Sequence, residues 1–176
     1  MAAVVNIERL TGISPGAPTV ITGINTRANA DDNHTVSGTS NPVAIPTSGT
    51  KYSFWVTTRL NVVSGLGGTL DNIRWFTSGA LGPSVGIIAQ DATGYVQAAG
   101  VVGDTGDQLT TVSYPTLTGA PVNALTFTSG SPKAVPGSTS GTGPVGNRMV
   151  YQFTVGISAV PGATSTITAT WRYDET

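Results

Sequence analysis

Hydrophobic side chains recur at every second position in two segments near the C-terminal end of the chain. They are Met149, Tyr151, Phe153, Val155 and Ile157 in the first segment and Ile167, Ala169, Trp171 and Tyr173 in the second. A period of two is typical of a β-strand with one face against a core. The Pro161-Gly162 pair between the segments favours a type II turn, so the pattern predicts a hairpin of two strands.

The same alternation recurs along the chain, and 23 Gly and 11 Pro residues leave little room for long helices. The predicted strands cover residues 2–7, 18–23, 34–45, 51–64, 71–77, 84–90, 94–99, 109–113, 122–128, 148–157 and 165–173. Turn residues separate them at intervals of about 8–12 residues. The sequence predicts an all-β protein, a single antiparallel β-sandwich over residues 1–176 with immunoglobulin-like or jelly-roll-like Greek-key connections.

The longest predicted strand, 51–64, ends at a glycine-rich turn and is followed by the strand at 71–77. We expect these two strands to form a central antiparallel pair. Trp75 is then a core anchor, and Trp55 lies either under a loop or at a contact surface. A core position is the favoured interpretation for both tryptophans.

Residues 129–147 are rich in Gly, Ser and Pro and too polar to pack by themselves, which predicts a flexible loop or arm. Two interpretations stay open for this segment, an ordinary surface loop or an extension that lies across a neighbouring subunit. The N-terminal segment is a second candidate for such an extension. Either could add to the edge of a neighbour's sheet.

Charged residues make up only 10% of the chain, well below the roughly 25% that is usual in soluble domains. Ser, Thr, Asn and Gly therefore supply the polar surface, which suits packing against other proteins or simply a threonine-rich sheet. The net charge is −1, and the basic residues are scattered from Arg9 to Arg172. Nucleic acid is not expected as a partner, because binding phosphate requires a local basic patch.

The chain has no cysteine, which excludes disulfides and cysteine-based catalysis or metal binding. No run of 18 apolar residues is present, so no membrane-spanning segment is expected. The N-terminus also lacks a basic region followed by an apolar run. These features predict a soluble chain that is made in the cytoplasm.

His34 is the single histidine, and Asp31 and Asp32 precede it closely. A catalytic triad requires a histidine beside a nucleophile and an orienting carboxylate, and no nucleophile motif accompanies this one. The sequence therefore predicts that the protein is not an enzyme and that His34 belongs to a polar loop.

Four aspartates are the only candidates for calcium binding, although aspartate in glycine-rich turns usually serves turn geometry. They are Asp31, Asp32, Asp104 and Asp107. No metal or cofactor is predicted from them. Three aromatic residues, Trp55, Tyr95 and Tyr114, are candidates for contact with a partner or for stacking against a sugar.

Three passages carry a resemblance to a known class of protein: Gly-Thr-Leu-Asp-Asn-Ile-Arg-Trp-Phe-Thr-Ser-Gly at 68–79, Thr-Gly-Tyr-Val-Gln-Ala-Ala-Gly-Val-Val-Gly-Asp-Thr-Gly-Asp-Gln-Leu at 93–109, and Thr-Ile-Thr-Ala-Thr-Trp-Arg-Tyr-Asp-Glu-Thr at the C-terminal end. The chain resembles small β-sandwich virion proteins of tailed bacteriophages. The resemblance covers about a third of the chain and rests on the texture of these passages rather than on a diagnostic motif.

The resemblance implies a capsid decoration or cement protein that is assembled in the host cytoplasm and stabilises the virion through protein–protein contacts. The implied partners are further copies of the chain, as a dimer or trimer, and the major capsid protein or other virion proteins. A second expectation from a different class is an extracellular carbohydrate-binding or adhesive β-sandwich.

Overall fold

The computed structural model describes residues 2–13, 16–37, 39–162 and 166–176. These residues contain β-strands and one short 3₁₀ turn, Ala124–Thr126. The strands are β1 Val4–Thr11, β2 Ala17–Val20, β3 Thr50–Tyr52, β4 Val56–Ser64, β5 Leu70–Ser78, β6 Val85–Ala92, β7 Gly100–Val101, β8 Thr105–Gly106, β9 Val122–Asn123, β10 Lys133–Ala134, β11 Gly143–Gly156 and β12 Thr168–Glu175.

Two packed antiparallel sheets confirm the predicted all-β sandwich. The larger sheet has seven strands in the order β2-β1-β4-β11-β6-β9, with β3 also paired to β11. The smaller sheet has three strands in the order β10-β5-β12, and β7 and β8 form a separate two-stranded ribbon. The small sheet therefore covers only part of one face of the large sheet.

The main core lies between the two sheets. Leu60 and Met149 of the large sheet are buried against Trp75 and Trp171 of the small sheet. Trp75 is fully buried, as predicted, and stacks on Tyr151 at a ring-centroid distance of 6.3 Å. Burying a large apolar side chain stabilises the fold by about 1.5–3 kcal/mol, so this core holds the sheets together.

A second core lies on the opposite face of the large sheet, under the segment 94–117. Trp55 and Val150 of the large-sheet side pack there against Leu109 and Tyr114. The middle of the large sheet is thus covered on both faces. This explains why the consecutive residues 56–58 of β4 are all buried.

The predicted central pair of 51–64 and 71–77 is wrong. The strand β4 pairs with β1 and β11, whereas β5 pairs with β10 and β12 in the other sheet. The connection at 65–69 carries the chain between sheets and passes the C-terminus so closely that a Cβ atom on Gly68 would lie 1.8 Å from the Thr176 carbonyl oxygen. Only glycine fits this crossing.

The predicted hairpin of 149–157 and 165–173 is also wrong, because β11 and β12 belong to different sheets. Both segments do form strands, with Trp171 facing inward. Gly162 has the positive φ that a type II turn requires, at 121°. The last residue of that predicted turn, Ala163, lies outside the described residues.

Three predicted strands are absent from the described residues of 34–45, 94–99 and 109–113. In 109–113 the Thr110 hydroxyl accepts hydrogen bonds from the backbone N–H groups of Val112 and Ser113. In 34–45 the backbone N–H of Ser37 donates to the Thr35 hydroxyl. Such local bonds compete with sheet pairing, so hydroxyl-rich alternation is a poor predictor of strands here.

The segment 129–147 is in part the predicted surface loop, since most of its residues are exposed and residues 135–138 and 140–142 lie outside strands, but it is attached to the sandwich rather than free. It contains β10 and the start of β11, and the backbone N–H of Val135 donates to the Ile73 carbonyl at 2.9 Å. Val135 and Val145 are buried in the main core. The N-terminal segment is likewise not an extension, since β1 pairs with β2 and β4 inside the large sheet.

Candidate interaction surface

Asp31 and Asp32, two of the calcium candidates, are occupied by hydrogen bonds within the chain. The Asp31 carboxylate accepts from Asn41 Nδ2 at 2.7 Å, and the Asp32 carboxylate accepts from the backbone N–H of Gly12 at 2.8 Å. Burial raises the pKa of Asp32, although the Gly12 hydrogen bond opposes this. The Asp32 carboxylate thus holds its loop against the end of β1, and the Asp31 carboxylate bonds within the loop, as the turn interpretation anticipates.

Asp104 and Asp107, the other two calcium candidates, lie near the ribbon of β7 and β8. The Asp104 carboxylate forms a salt bridge with Lys51. The Asp107 side chain is exposed, and its backbone carbonyl accepts a hydrogen bond from Gln152 Nε2 at 2.7 Å. Among the described residues, no three acidic, histidine or cysteine side chains come together as a metal site.

Trp55 and Tyr114 are interior residues, which corrects their assignment as contact candidates. They are 4% and 0% exposed, and their rings meet edge to face with centroids 5.6 Å apart. Trp55 Nε1 donates to the Val96 carbonyl at 3.0 Å. The indole therefore lies under a loop, which was one of its two predicted positions.

Tyr95, the third contact candidate, is half-buried. Its hydroxyl donates to the Gly12 carbonyl at 2.8 Å, and its ring lies so close to Gly16 that a Cβ atom there would be 2.9 Å away. The side chain thus ties the covering segment to the end of β1 rather than standing free for a partner.

His34 contacts a threonine hydroxyl in the structure. Its Nδ1 atom lies 3.1 Å from the Thr26 hydroxyl, which also accepts a hydrogen bond from Arg9 Nη1 at 3.0 Å. Burial and the nearby Arg9 charge lower the pKa of His34. Sequence analysis missed Arg9, which is only 1% exposed and donates also to the Arg27 carbonyl. The hydrogen bonds among Arg9, Thr26 and His34 anchor the loop that contains Thr26 and His34 to β1.

We expect Tyr114→Phe to lower the free energy of unfolding by about 1–2 kcal/mol. The Tyr114 hydroxyl donates to the Gly94 carbonyl and lies 3.2 Å from the hydroxyl of buried Thr57, which would lose its partner. Chemical denaturation measures the change. Tyr52→Phe is the matched control, because no hydrogen bond of the Tyr52 hydroxyl is found among the described residues. Equal losses in both variants would contradict this role.

A scan against protein-family models found no match. Searches of curated proteins and of solved structures found no significant match either. Among the described residues, no helix is long and apolar enough to cross a membrane. The function is therefore inferred from the surface of the protein.

A cleft of about 660 Å³ lies between the two sheets at one end of the sandwich. It is formed by the loops 21–29 and 42–45, the start of β6, the end of β11 and the start of β12. Ile24, Ile45 and Val160 are exposed at its walls. Arg27 is the single charged residue among the described residues that line it. The cleft thus carries little charge and combines apolar side chains with polar ones.

Large aliphatic side chains are also exposed elsewhere on the surface. Ile13 and Val112 are 84% and 88% exposed, and Val36, Val101 and Val102 are exposed as well. No aromatic side chain shares this exposure: the three Trp, five Tyr and four Phe residues all lie in the described part of the chain, and each is buried or half-buried. The surface offers aliphatic contacts but no exposed ring on which a sugar could stack.

Proposed function

We propose that this protein is a structural assembly protein of a virus particle, a bacteriophage capsid decoration or cement protein that acts through protein–protein contacts. The observation that carries the proposal is the surface, which is poor in charge and exposes large aliphatic side chains such as Ile13, Val112 and Val160. A contiguous apolar patch on a folded domain marks a site of contact with other proteins, and Ile24, Ile45 and Val160 are exposed together at the cleft. The virion as location rests on the resemblance alone.

Two further features support an assembly role. A surface of hydroxyl and amide groups costs less free energy to bury against a neighbouring subunit than a charged surface does, when its groups find hydrogen-bond partners there. The two hydrophobic cores of the sandwich do not include the exposed aliphatic side chains. These side chains are therefore available for contacts with other proteins. A particle protein of this kind gains stability from many repeated interfaces.

The carbohydrate-binding alternative is less well supported. Sugar-binding sites commonly use an aromatic face against the sugar ring, and the candidates Trp55 and Tyr114 are buried. Tyr95 keeps partial exposure, but its hydroxyl is already hydrogen-bonded to Gly12. We therefore keep this alternative as an outcome of the experiment below.

The test is light scattering of the purified chain, followed by co-sedimentation with expanded empty capsids that lack their decoration protein and by a glycan array. We expect a defined oligomer and a fraction that sediments with capsids. A monomer that ignores every capsid and is retained by a glycan would contradict the proposal and favour the carbohydrate-binding alternative.

A further inference from the structure

The strand β12 is a free edge of the small sheet. It is eight residues long, and among the described residues it pairs with β5 alone. A free edge presents backbone N–H and C=O groups that another strand can bind, and proteins usually shorten or cover such edges. At the other end of this sheet, β10 is only two residues long. The unusual edge is therefore β12.

The outer face of this edge carries two directly opposed pairs of like charges, Arg172 with Arg74 and Asp174 with Asp71. Arg172 of β12 lies directly opposite Arg74 of β5. Their neighbours Trp171 and Trp75 point between the sheets, so the two arginines lie on the outward face. Neither arginine forms a salt bridge with a described residue. Like charges in directly opposed positions destabilise a sheet, so the positive pair and the negative pair each lack an opposite charge on the neighbouring strand.

Both signs of charge are therefore present on β12 itself. Asp174 follows Arg172 by two positions and therefore lies on the same face, where its carboxylate accepts a hydrogen bond from Asn72 Nδ2 at 2.5 Å. The irregularity in this pairing falls on β5, where Asn72 has a φ of 47°, and β12 itself stays regular. A regular strand has the even spacing that pairing with a second strand requires.

An antiparallel pair of two β12 strands, centred on Tyr173, brings these charges together. In this register Arg172 of each copy lies opposite Asp174 of the other copy, and the two Tyr173 residues face each other. Directly opposed residues in such a pair have Cβ atoms about 4.5–5.5 Å apart, which is within reach of a salt bridge. The edge is thus complementary to itself under a two-fold rotation.

We propose that two copies of this chain pair through β12 about a two-fold axis at Tyr173, so that their three-stranded sheets form one continuous sheet. The inference rests on the proposed assembly function, since it names the surface and the symmetry through which copies meet. The sequence left a dimer and a trimer as alternatives, and the pairing through β12 predicts a dimer. The two Arg172–Asp174 pairs set its register.

The experiment uses two single variants of the full chain, Arg172→Glu and Asp174→Arg. Each variant places like charges in both contacts of its own homodimer. We expect each to raise the dimer dissociation constant by at least about tenfold in sedimentation equilibrium. A mixture of the two variants restores opposite charges at both contacts, so the mixture is expected to dimerise like the wild type.

Asp107→Arg is the matched control for Asp174→Arg, because it makes the same change from a negative to a positive charge at an exposed side chain near β8. It is expected to leave the dissociation constant unchanged, and circular dichroism should show that all variants keep the wild-type fold. A wild type that is monomeric, a dimer that neither variant weakens, or a mixture that fails to recover would each overturn the inference. Co-sedimentation with capsids is measured separately from dimerisation. A β12 dimer that binds no capsid would count against the virion function alone. Capsid binding without this dimer would count against the inference alone.

Discussion

Replacing Asp91 with asparagine is expected to lower the free energy of unfolding by about 3–5 kcal/mol, as measured by chemical denaturation. Asp91 is 1% exposed, and its carboxylate accepts from Thr118 Oγ1 at 2.6 Å and from Asn147 Nδ2 at 2.8 Å. It also forms a salt bridge with Lys133 Nζ at 2.9 Å. An asparagine amide would replace one acceptor with a donor and leave the Lys133 charge without its partner.

Asp104→Asn provides the control for a charge pair at the surface. The Asp104 side chain is 42% exposed in its salt bridge with Lys51. Solvent weakens such pairs, so we expect a loss of about 0–1 kcal/mol. If Asp91→Asn lowers the free energy of unfolding by no more than Asp104→Asn does, the buried carboxylate does not hold β6 of the large sheet to β10 of the small sheet.

The same carboxylate should make stability depend on pH. Burial by itself would raise the pKa of Asp91, but hydrogen bonds from Thr118 and Asn147 and the charge of Lys133 together lower it. A carboxylate with a lower pKa in the folded chain stabilises the fold above its unfolded-state pKa and loses this contribution as the pH falls through the folded-state pKa. We therefore expect wild-type stability to fall below about pH 4, and Asp91→Asn to remove this part of the decline.

The sequence predicted individual strands better than their partners. Alternation in β4, β5, β6, β11 and β12 is a local property, because it follows from which side of each strand is buried. Pairing depends on contacts between distant parts of the chain. The stretch after β4 looked like a hairpin turn, but its glycines allow a crossing past the C-terminus instead.

The proposed contact could not be predicted from the sequence for the same reason. Arg74 and Arg172 are 98 positions apart in the numbering, and only the pairing of β5 with β12 places them opposite each other. The sequence offered Trp55 and Tyr114 as contact candidates, but both side chains are buried. Their size and polarity suit either a surface or a core, and the covering segment 94–117, whose role the sequence did not reveal, placed them inside.

The segment 129–147 illustrates a limit of composition as a guide. Its Gly and Pro content predicted a free loop, yet Val135 and Val145 are both buried. Glycine here permits close packing rather than flexibility. Gly137 and Gly146 lie so near each other that a Cβ atom on Gly137 would be 2.1 Å from Gly146 Cα. Two backbone strands can approach to this distance only where neither carries a side chain.

Gly137→Ala is therefore expected to lower the free energy of unfolding by about 3 kcal/mol or more. The new methyl group would meet backbone atoms of Gly146, and the φ of 135° at this position is one that alanine rarely adopts. Thermal and chemical denaturation measure the loss. Gly141→Ala is the matched control in the same segment, since no atom lies within 4 Å of its Cβ position, and we expect a change below about 1 kcal/mol.

The double variant Gly137→Ala with Asp91→Asn tests whether both residues act on one structural unit. The Pro136 carbonyl accepts a hydrogen bond from the Asn147 backbone N–H, and the Asn147 side chain donates to Asp91. Displacing Gly146 should therefore also disturb the Asp91 contacts, so the two losses should sum to more than the double variant shows. Strictly additive losses would mean that the segment packs on the small sheet independently of its attachment to β6.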